Sequence, residues 1–212
     1  MERMVIFRTF EERDIDFIYK CKNNEEIWTF TKYEFQNFSY EEAVAWVHGC
    51  MCDDPSYKFW AICKNDESRD IVGWCSLTNI DYQMKTAAVH GIVIANPEYR
   101  DGFTWIYTLL FILQYVFETL NFESLTGYWL LNHPVSRSLS CFLTQGSSRI
   151  DTINKNGCNY SVESVFFPKE TYYLYKKAGD LDIDRLIKKI VKFTKSEFGN
   201  NVSCNISKNE NR

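Results

Sequence analysis

One apolar run constrains this chain more than any other feature. Trp105 to Phe117 is thirteen residues long and is broken only by Thr108 and Gln114. A membrane span needs roughly 20 apolar residues, so the run is too short to cross a bilayer. It reads instead as a helix that is apolar on nearly every side and must be buried in a protein interior. Pro97 and Gly102 punctuate the loop Ala95–Gly102 just before it. The helix is therefore expected over Phe103–Leu120, and the rest of the chain must supply layers to cover it.

Length and composition allow that. At 212 residues the chain is one generous domain, large enough to bury a core without staples. Aromatic residues make up 17% of it (16 Phe, 13 Tyr and 6 Trp), which excludes disorder for most of its length. With 9 Gly and 4 Pro it is not collagen-like or linker-like. The net charge is −4, from 24 basic and 28 acidic residues, so the basic excess of a nucleic-acid binder is missing. The lysines at 188, 189, 192 and 195 read as a solvated helix face. Eight cysteines and three histidines show no CxxC pair or zinc-ligand spacing, so no metal is expected. Met1-Glu2-Arg3-Met4 opens without an apolar signal region. The expectation is a cytoplasmic protein with reduced thiols, in which the sequons at Asn37, Asn159, Asn201 and Asn205 are chance.

Strand-like and helix-like signals alternate along the chain. Val5–Phe10 reads as a strand and Arg13–Lys22 as a helix, with Ile15, Ile18 and Tyr19 at helical spacing. Ser39-Tyr40-Glu41-Glu42 is a capping box that opens a helix to Gly49. Lys58–Cys63 and Asp70–Ile80 form a hairpin. Thr86–Ile94 is a strand apolar enough to be covered on both faces. After the buried helix come a strand at Ser124–Leu130 and a helix across Val135–Thr144. Val162–Phe167 and Thr171–Tyr175 read as a closing hairpin about Pro168. A C-terminal amphipathic helix within 179–199 and a polar tail over 200–212 follow a main domain of 1–178.

Chemistry concentrates at one place. A strand that delivers a short Gly-containing loop into a helix N-terminus presents free backbone N–H groups and the positive end of the helix dipole. Gly102 allows close backbone approach to an anion, and Arg100 adds a forked donor. The loop is neither a Walker A sequence nor GxGxxG.

The order of these elements resembles the GNAT superfamily of acyl-CoA-dependent N-acyltransferases, and within it the RimJ/RimL-like branch. Ile6-Phe7-Arg8 with Arg13-Asp14-Ile15 resembles the first strand and helix of that branch. Glu41–Trp46 resembles the second helix, and Phe59–Ile62 with Asp70–Gly73 the central hairpin. Gly91–Ile94 with Asn96–Arg100 resembles the cofactor strand and loop. Val116-Phe117 with Leu120-Asn121-Phe122, and Asn132 with Ser136–Leu139, resemble the segments that follow. The likeness spans about residues 4–177. Two spacings differ from the family's: Arg100-Asp101-Gly102-Phe103-Thr104 is one residue short of the usual loop, and Asn132 to Ser136 is one residue long.

The resemblance implies an α/β (α+β) fold with a mixed, mostly antiparallel central sheet flanked by helices and splayed strands at the cofactor site. It implies acetyl-CoA as co-substrate, its pantetheine arm beside Ile92, Val93 and Ile94 and its diphosphate on the amides of Arg100, Asp101, Gly102, Phe103 and Thr104. Asn132 would touch the pantetheine or the region of the leaving sulfur. His90 is the candidate general base, and Tyr128 and Ser136 are candidates for protonating the departing thiolate. Trp28, Tyr33, Glu34 and His133 are candidate acceptor contacts, in a mouth expected to be aromatic and acidic and so suited to a cationic amine. The implied activity is acetyl transfer to a primary amine by direct transfer in a ternary complex. The competing reading is a non-catalytic GNAT-like module that binds CoA or a partner protein. The acceptor is a small molecule or a protein, nucleic acid and membrane are not expected as partners, and a homodimer is an allowed assembly.

Overall fold

The computed structural model describes residues 5–29, 31, 33–100, 102–131, 148–186 and 188. Asp101, Asn132, His133, Ser136, the helix expected over Val135–Thr144 and most of the C-terminal helix and tail lie outside them. Among the described residues no helix is long and apolar enough to cross a membrane.

Seven strands form one sheet: β1 (Val5–Arg8), β2 (Lys58–Lys64), β3 (Ile71–Asp81), β4 (Thr86–Ile94), β5 (Ser124–Leu130), β6 (Ser148–Lys155) and β7 (Cys158–Pro168), in the order β1-β2-β3-β4-β5-β7-β6. Only β4 and β5 pair in parallel; every other neighbouring pair is antiparallel. The helices are α1 (Ile15–Lys22), α2 (Glu25–Trp28), α3 (Tyr40–Met51), α4 (Phe103–Gln114) and α5 (Lys169–Ala178). This is the expected mixed, mostly antiparallel sheet flanked by helices.

Side-chain alternation along the strands builds two cores. On β2, Ala61 and Cys63 face one side and join Phe10, Ile18, Val47 and Trp74 under α1 and α3. Trp60 and Ile62 face the other side and join Ile106, Ile112, Leu113, Val116 and Phe117 of the long helix. From Gly102 to Phe117 only Gln114 is exposed, as the apolar run requires. Thr108 is tolerated in that interior because its hydroxyl donates to the Thr104 carbonyl at 2.7 Å.

Local signals close the elements. The Ser39 hydroxyl accepts from the Glu42 N–H while the Glu42 carboxylate accepts from the Ser39 N–H, so the capping box forms as read. The long helix widens to a π turn over Tyr115–Thr119 and closes with Phe122 N–H on the Val116 carbonyl, Asn121 taking φ 55°. A bidentate pair ties β1 to the turn before α1: Arg8 donates to both carboxylate oxygens of buried Asp14, at 2.7 and 2.8 Å.

Two expectations need correction. Thr171–Tyr175 is part of α5, not a strand. Pro168 sits at its N-cap, Tyr172 and Tyr175 bury one turn apart, and left-handed Gly179 ends it. The β-prone tyrosines suggested a strand; packing against Phe117 and Phe167 overrides that preference. The hairpin partner of β7 is β6, joined to it by Asn156-Gly157 at φ 52° and 74°, a turn that needs both residues left-handed. The second correction concerns β4, most of which is only half-buried. Its apolar run lines a cavity instead of being sealed on both faces.

Candidate active site

The cavity begins where β4 bends. Leu77 of β3 lies opposite Val89 and Ser76 opposite Gly91, so His90 is an extra residue in the ladder, a bulge. On its other edge β4 pairs with β5 only through Thr86, Ala87 and Ala88. Beyond the bulge the two strands part, and a cavity of about 440 Å³ opens between them. Ile92, Val93 and Ile94 line it along the edge of β4, and Leu125–Leu130 line it from β5. A Cβ on Gly91 would meet nothing within 4 Å. On the opposite edge β4 is held tightly, since a Cβ on Gly73 would come within 2.2 Å of the Val93 carbonyl oxygen.

One end of this slot is the N-terminus of α4. Gly102 caps it at φ 81° and accepts the first helical bond, from Ile106 N–H at 3.1 Å. The amides of Phe103 and Trp105 precede that bond and therefore have no i−4 partner within the helix. The Phe103 side chain packs against the core, so its backbone is what an anion can meet.

Arg100 is placed differently from its expected phosphate role. Its Nε donates to the Ile94 carbonyl, one Nη to the Ala95 carbonyl, both at 3.0 Å, and the other Nη to Glu26 at 2.6 Å. The guanidinium lines the cavity, but these bonds brace the end of β4 against α2.

Three of the expected site residues meet. The Tyr33 hydroxyl lies 3.5 Å from His90 Nε2, and the Tyr128 hydroxyl donates to the His90 carbonyl at 3.2 Å. Tyr33 and Tyr128 also hydrogen-bond each other. Burial, then the neighbouring Tyr33, pushes the Tyr128 phenol above its ordinary pKa, so it holds its proton through neutral pH. Bulged, exposed His90 sits at the cavity rim.

Trp28 and Tyr33 line the cavity, but Glu34 does not. Its carboxylate accepts from the Asn156 N–H at 3.1 Å, on the β6–β7 turn. Asp53, Asp54 and Tyr57 also lie away from the lining. Among the described lining residues the acidic half of the expected mouth is thus replaced by one carboxylate, Glu26, which is already paired with Arg100. The aromatic half is present and larger than expected.

Two lysines that sequence reasoning missed shape this end. Lys155, only 5% exposed, reaches from the β6–β7 hairpin to the carbonyls of Trp28 at 2.5 Å and Thr31 at 2.9 Å, fixing the loop that carries Tyr33. The Asn156-Gly157 dipeptide was the available signal for that hairpin. Lys22, at the end of α1, points its ammonium among four rings from four separate segments, 4.5 Å from the Trp46 centroid, 5.3 Å from Trp28 and Phe38, and 5.7 Å from Trp74. No local pattern announces such a box. Burial lowers the Lys22 pKa from its ordinary value.

A strand splayed at a bulge and a helix N-terminus at the end of the resulting slot define an acyl-CoA-type transferase fold. The chain belongs to the GNAT acetyltransferase family, whose domain model, described as acetyltransferase (GNAT) domain, matches residues 4–140. It is an N-acetyltransferase with acetyl-CoA as co-substrate. No curated protein matches the chain. Among solved structures it is similar to a spermidine N-acetyltransferase from Vibrio cholerae in complex with CoA and spermine, at TM-score 0.63 and 18% identity over 80% of this chain and 98% of that one. It is also similar to a chimera of the Vibrio cholerae enzyme SpeG with hSSAT, at TM-score 0.62 and 17% identity over 81% and 99%. Mutant forms of the spermidine/spermine N-acetyltransferase SpeG from Vibrio cholerae align at TM-score 0.62 and 19% identity over 82% and 98%. At such identities the likeness speaks for the fold.

Proposed function

We propose that this chain moves an acetyl group from acetyl-CoA to a primary amine by direct transfer in a ternary complex. The observation that carries this reading is the parting of β4 and β5 after Ala88, with the α4 amides at one end of the slot and the Tyr33–His90–Tyr128 cluster at its rim. The open edge of Ile92, Val93 and Ile94 suits an extended pantetheine arm, and the amides of Gly102 and Phe103 suit its diphosphate. Arg100 contributes by holding Ile94 and Ala95 in place. Acetyl-CoA supplies the activated acyl carbon.

The chain's residues supply position and proton transfer. His90 Nε2, in its neutral form and through Tyr33, accepts a proton from the incoming ammonium, which leaves the nitrogen lone pair free to attack. Tyr128, held protonated by burial, donates to the thiolate that departs and regains its proton from the acylated nitrogen, which sheds its second proton as the amide forms. Within the family, the ordered motifs Ile6–Arg8, Phe59–Ile62 and Asn96–Arg100 favour the RimJ/RimL-like branch. A polyamine acceptor, as in the named neighbours, suits this cavity poorly, because several ammonium groups would have to enter beside Lys22 and Arg100 with, among the described lining residues, only Glu26 to offset them.

Titration calorimetry with CoA, followed by a mass-spectrometric screen of amine acceptors, tests the proposal. CoA binding in the micromolar range with acetylated product is the expected result. Absence of CoA binding at millimolar cofactor would overturn it.

A further inference from the structure

Lys22 is a cavity-lining cation that the catalytic reading leaves without a task. Among the described lining residues, Arg100 and Glu26 neutralise each other at 2.6 Å, and the Lys22 charge is left over. Its ammonium carries three N–H donors. Four aromatic faces stabilise the charge, but a ring face offers no lone pair to those donors. Among the described residues no carboxylate lies within ion-pair distance of Lys22 Nζ and no oxygen accepts a hydrogen bond from it. A half-buried charge in that state has only ring faces and solvent around it, and an anionic group that enters the cavity can pair with it. The box is also close to the reaction strand, because Trp74 pairs with Val93 of β4. An anion at Lys22 would therefore be attached to something that lies against Trp28, Trp46 and Phe59 and reaches β4.

We propose that the acceptor is a primary amine that also carries a carboxylate on an apolar or aromatic body, an amino acid in its chemical class, and that Lys22 pairs with that carboxylate from within the aromatic box. The proposal rests on the acetyl-transfer reading above and narrows its substrate. The carboxylate meets Lys22, the body covers the tryptophans, and the amine is left facing the parted strands. A polycation gains none of this and meets a like charge instead. Lys22 is thus a specificity determinant that sorts acceptors by charge.

Phenylalanine and phenethylamine differ by one carboxylate and make the decisive pair. Both, with spermidine, are titrated by calorimetry into the full chain with and without CoA. The wild type is expected to bind phenylalanine at least about tenfold more tightly than phenethylamine or spermidine. Lys22→Met is expected to shrink the preference to within about twofold, and Lys22→Arg to retain it. The CoA affinity of each variant, read in the same experiment, reports that it is folded. Equal binding of the two amines by the wild type, tighter binding of spermidine, no binding of phenylalanine at all, or an unchanged preference in folded Lys22→Met each overturns the proposal. A chain that prefers phenylalanine but does not bind CoA would keep the carboxylate site and overturn the transfer reading instead.

Discussion

The two ends of the cavity are built from different materials. The end at α4 is made of backbone: the open edge of Ile92–Ile94, the left-handed Gly102 and the first amides of a helix. The opposite end is made of side chains that arrive from distant segments, with Lys22 from α1, Trp28 from α2, Trp46 from α3, Trp74 from β3 and Lys155 from β6. Backbone surfaces recognise what every substrate pair of such an enzyme shares, a common diphosphate and amide-bearing arm. Side-chain surfaces can change without moving the fold, so chains that share this fold at only 18% identity need not share a substrate.

Variants that disturb one end and spare the other put this contrast to the test. The largest effect is expected at Gly73. A Cβ there meets the Val93 carbonyl at 2.2 Å, and the obstacle is backbone that cannot rotate away. Gly73→Ala should displace the cofactor strand, cost about 1–3 kcal/mol by overpacking and lower Tm by roughly 2–4 °C per kcal/mol. CoA affinity should fall by more than about 100-fold, measured by calorimetry at a temperature where the variant is folded. Unchanged CoA binding would show that β4 does not define the cofactor end.

Next in size is Tyr128→Phe. Removing a proton donor from the transfer step should lower kcat by about 100-fold with little change in either KM. The sign of the pH effect follows from burial. A phenol pushed above its ordinary value of about 10 stays protonated to higher pH, so activity that depends on it is lost only as pH rises past that raised value. The wild-type kcat profile should therefore show no falling limb between about pH 7 and pH 10. A limb in that range would assign the donor elsewhere.

The same contrast explains what could be read in advance. The slot was legible because its determinants lie in one stretch: the strand Thr86–Ile94, Pro97, Gly102 and the apolar run that follows. His90 and Tyr128 could be named because both lie on strands that border the slot, and Tyr33 because aromatic residues cluster about it. The box about Lys22 could not, since Phe38, Trp46 and Trp74 each have an adequate local explanation as loop, helix and strand residues. The bracing role of Arg100 was hidden for a related reason. Sequence shows a forked donor beside an anion site, but only the fold shows that the Ile94 and Ala95 carbonyls and Glu26 reach it first. The acidic mouth failed likewise, because Glu34 is diverted to the Asn156 amide by a hairpin whose turn lies 122 positions further along the chain.

That hairpin supplies the more selective prediction. Lys155→Met keeps the volume and apolar stem but frees the carbonyls of Trp28 and Thr31, so the loop carrying Tyr33 loses its anchor. The acceptor KM should rise by about tenfold while the CoA Kd moves less than about twofold. Equal losses at both ends would mean that the two ends are one cooperative unit.

The smallest expected effect is a control on all of these. Ser39 caps α3 on the exposed outer side of the sheet, and its reciprocal bonds with Glu42 touch neither end of the cavity. Ser39→Ala should cost about 1 kcal/mol and lower Tm by roughly 2–4 °C. Trp46 also sits on α3, so the control is a demanding one. If a destabilised but folded α3 leaves the acceptor KM and the CoA Kd unchanged, the aromatic box is fixed by its own packing, with Phe10, Phe59 and Trp74 holding the Trp46 ring. If the acceptor KM alone rises, the box depends on the register of α3, and the acceptor end is the softer of the two by that measure.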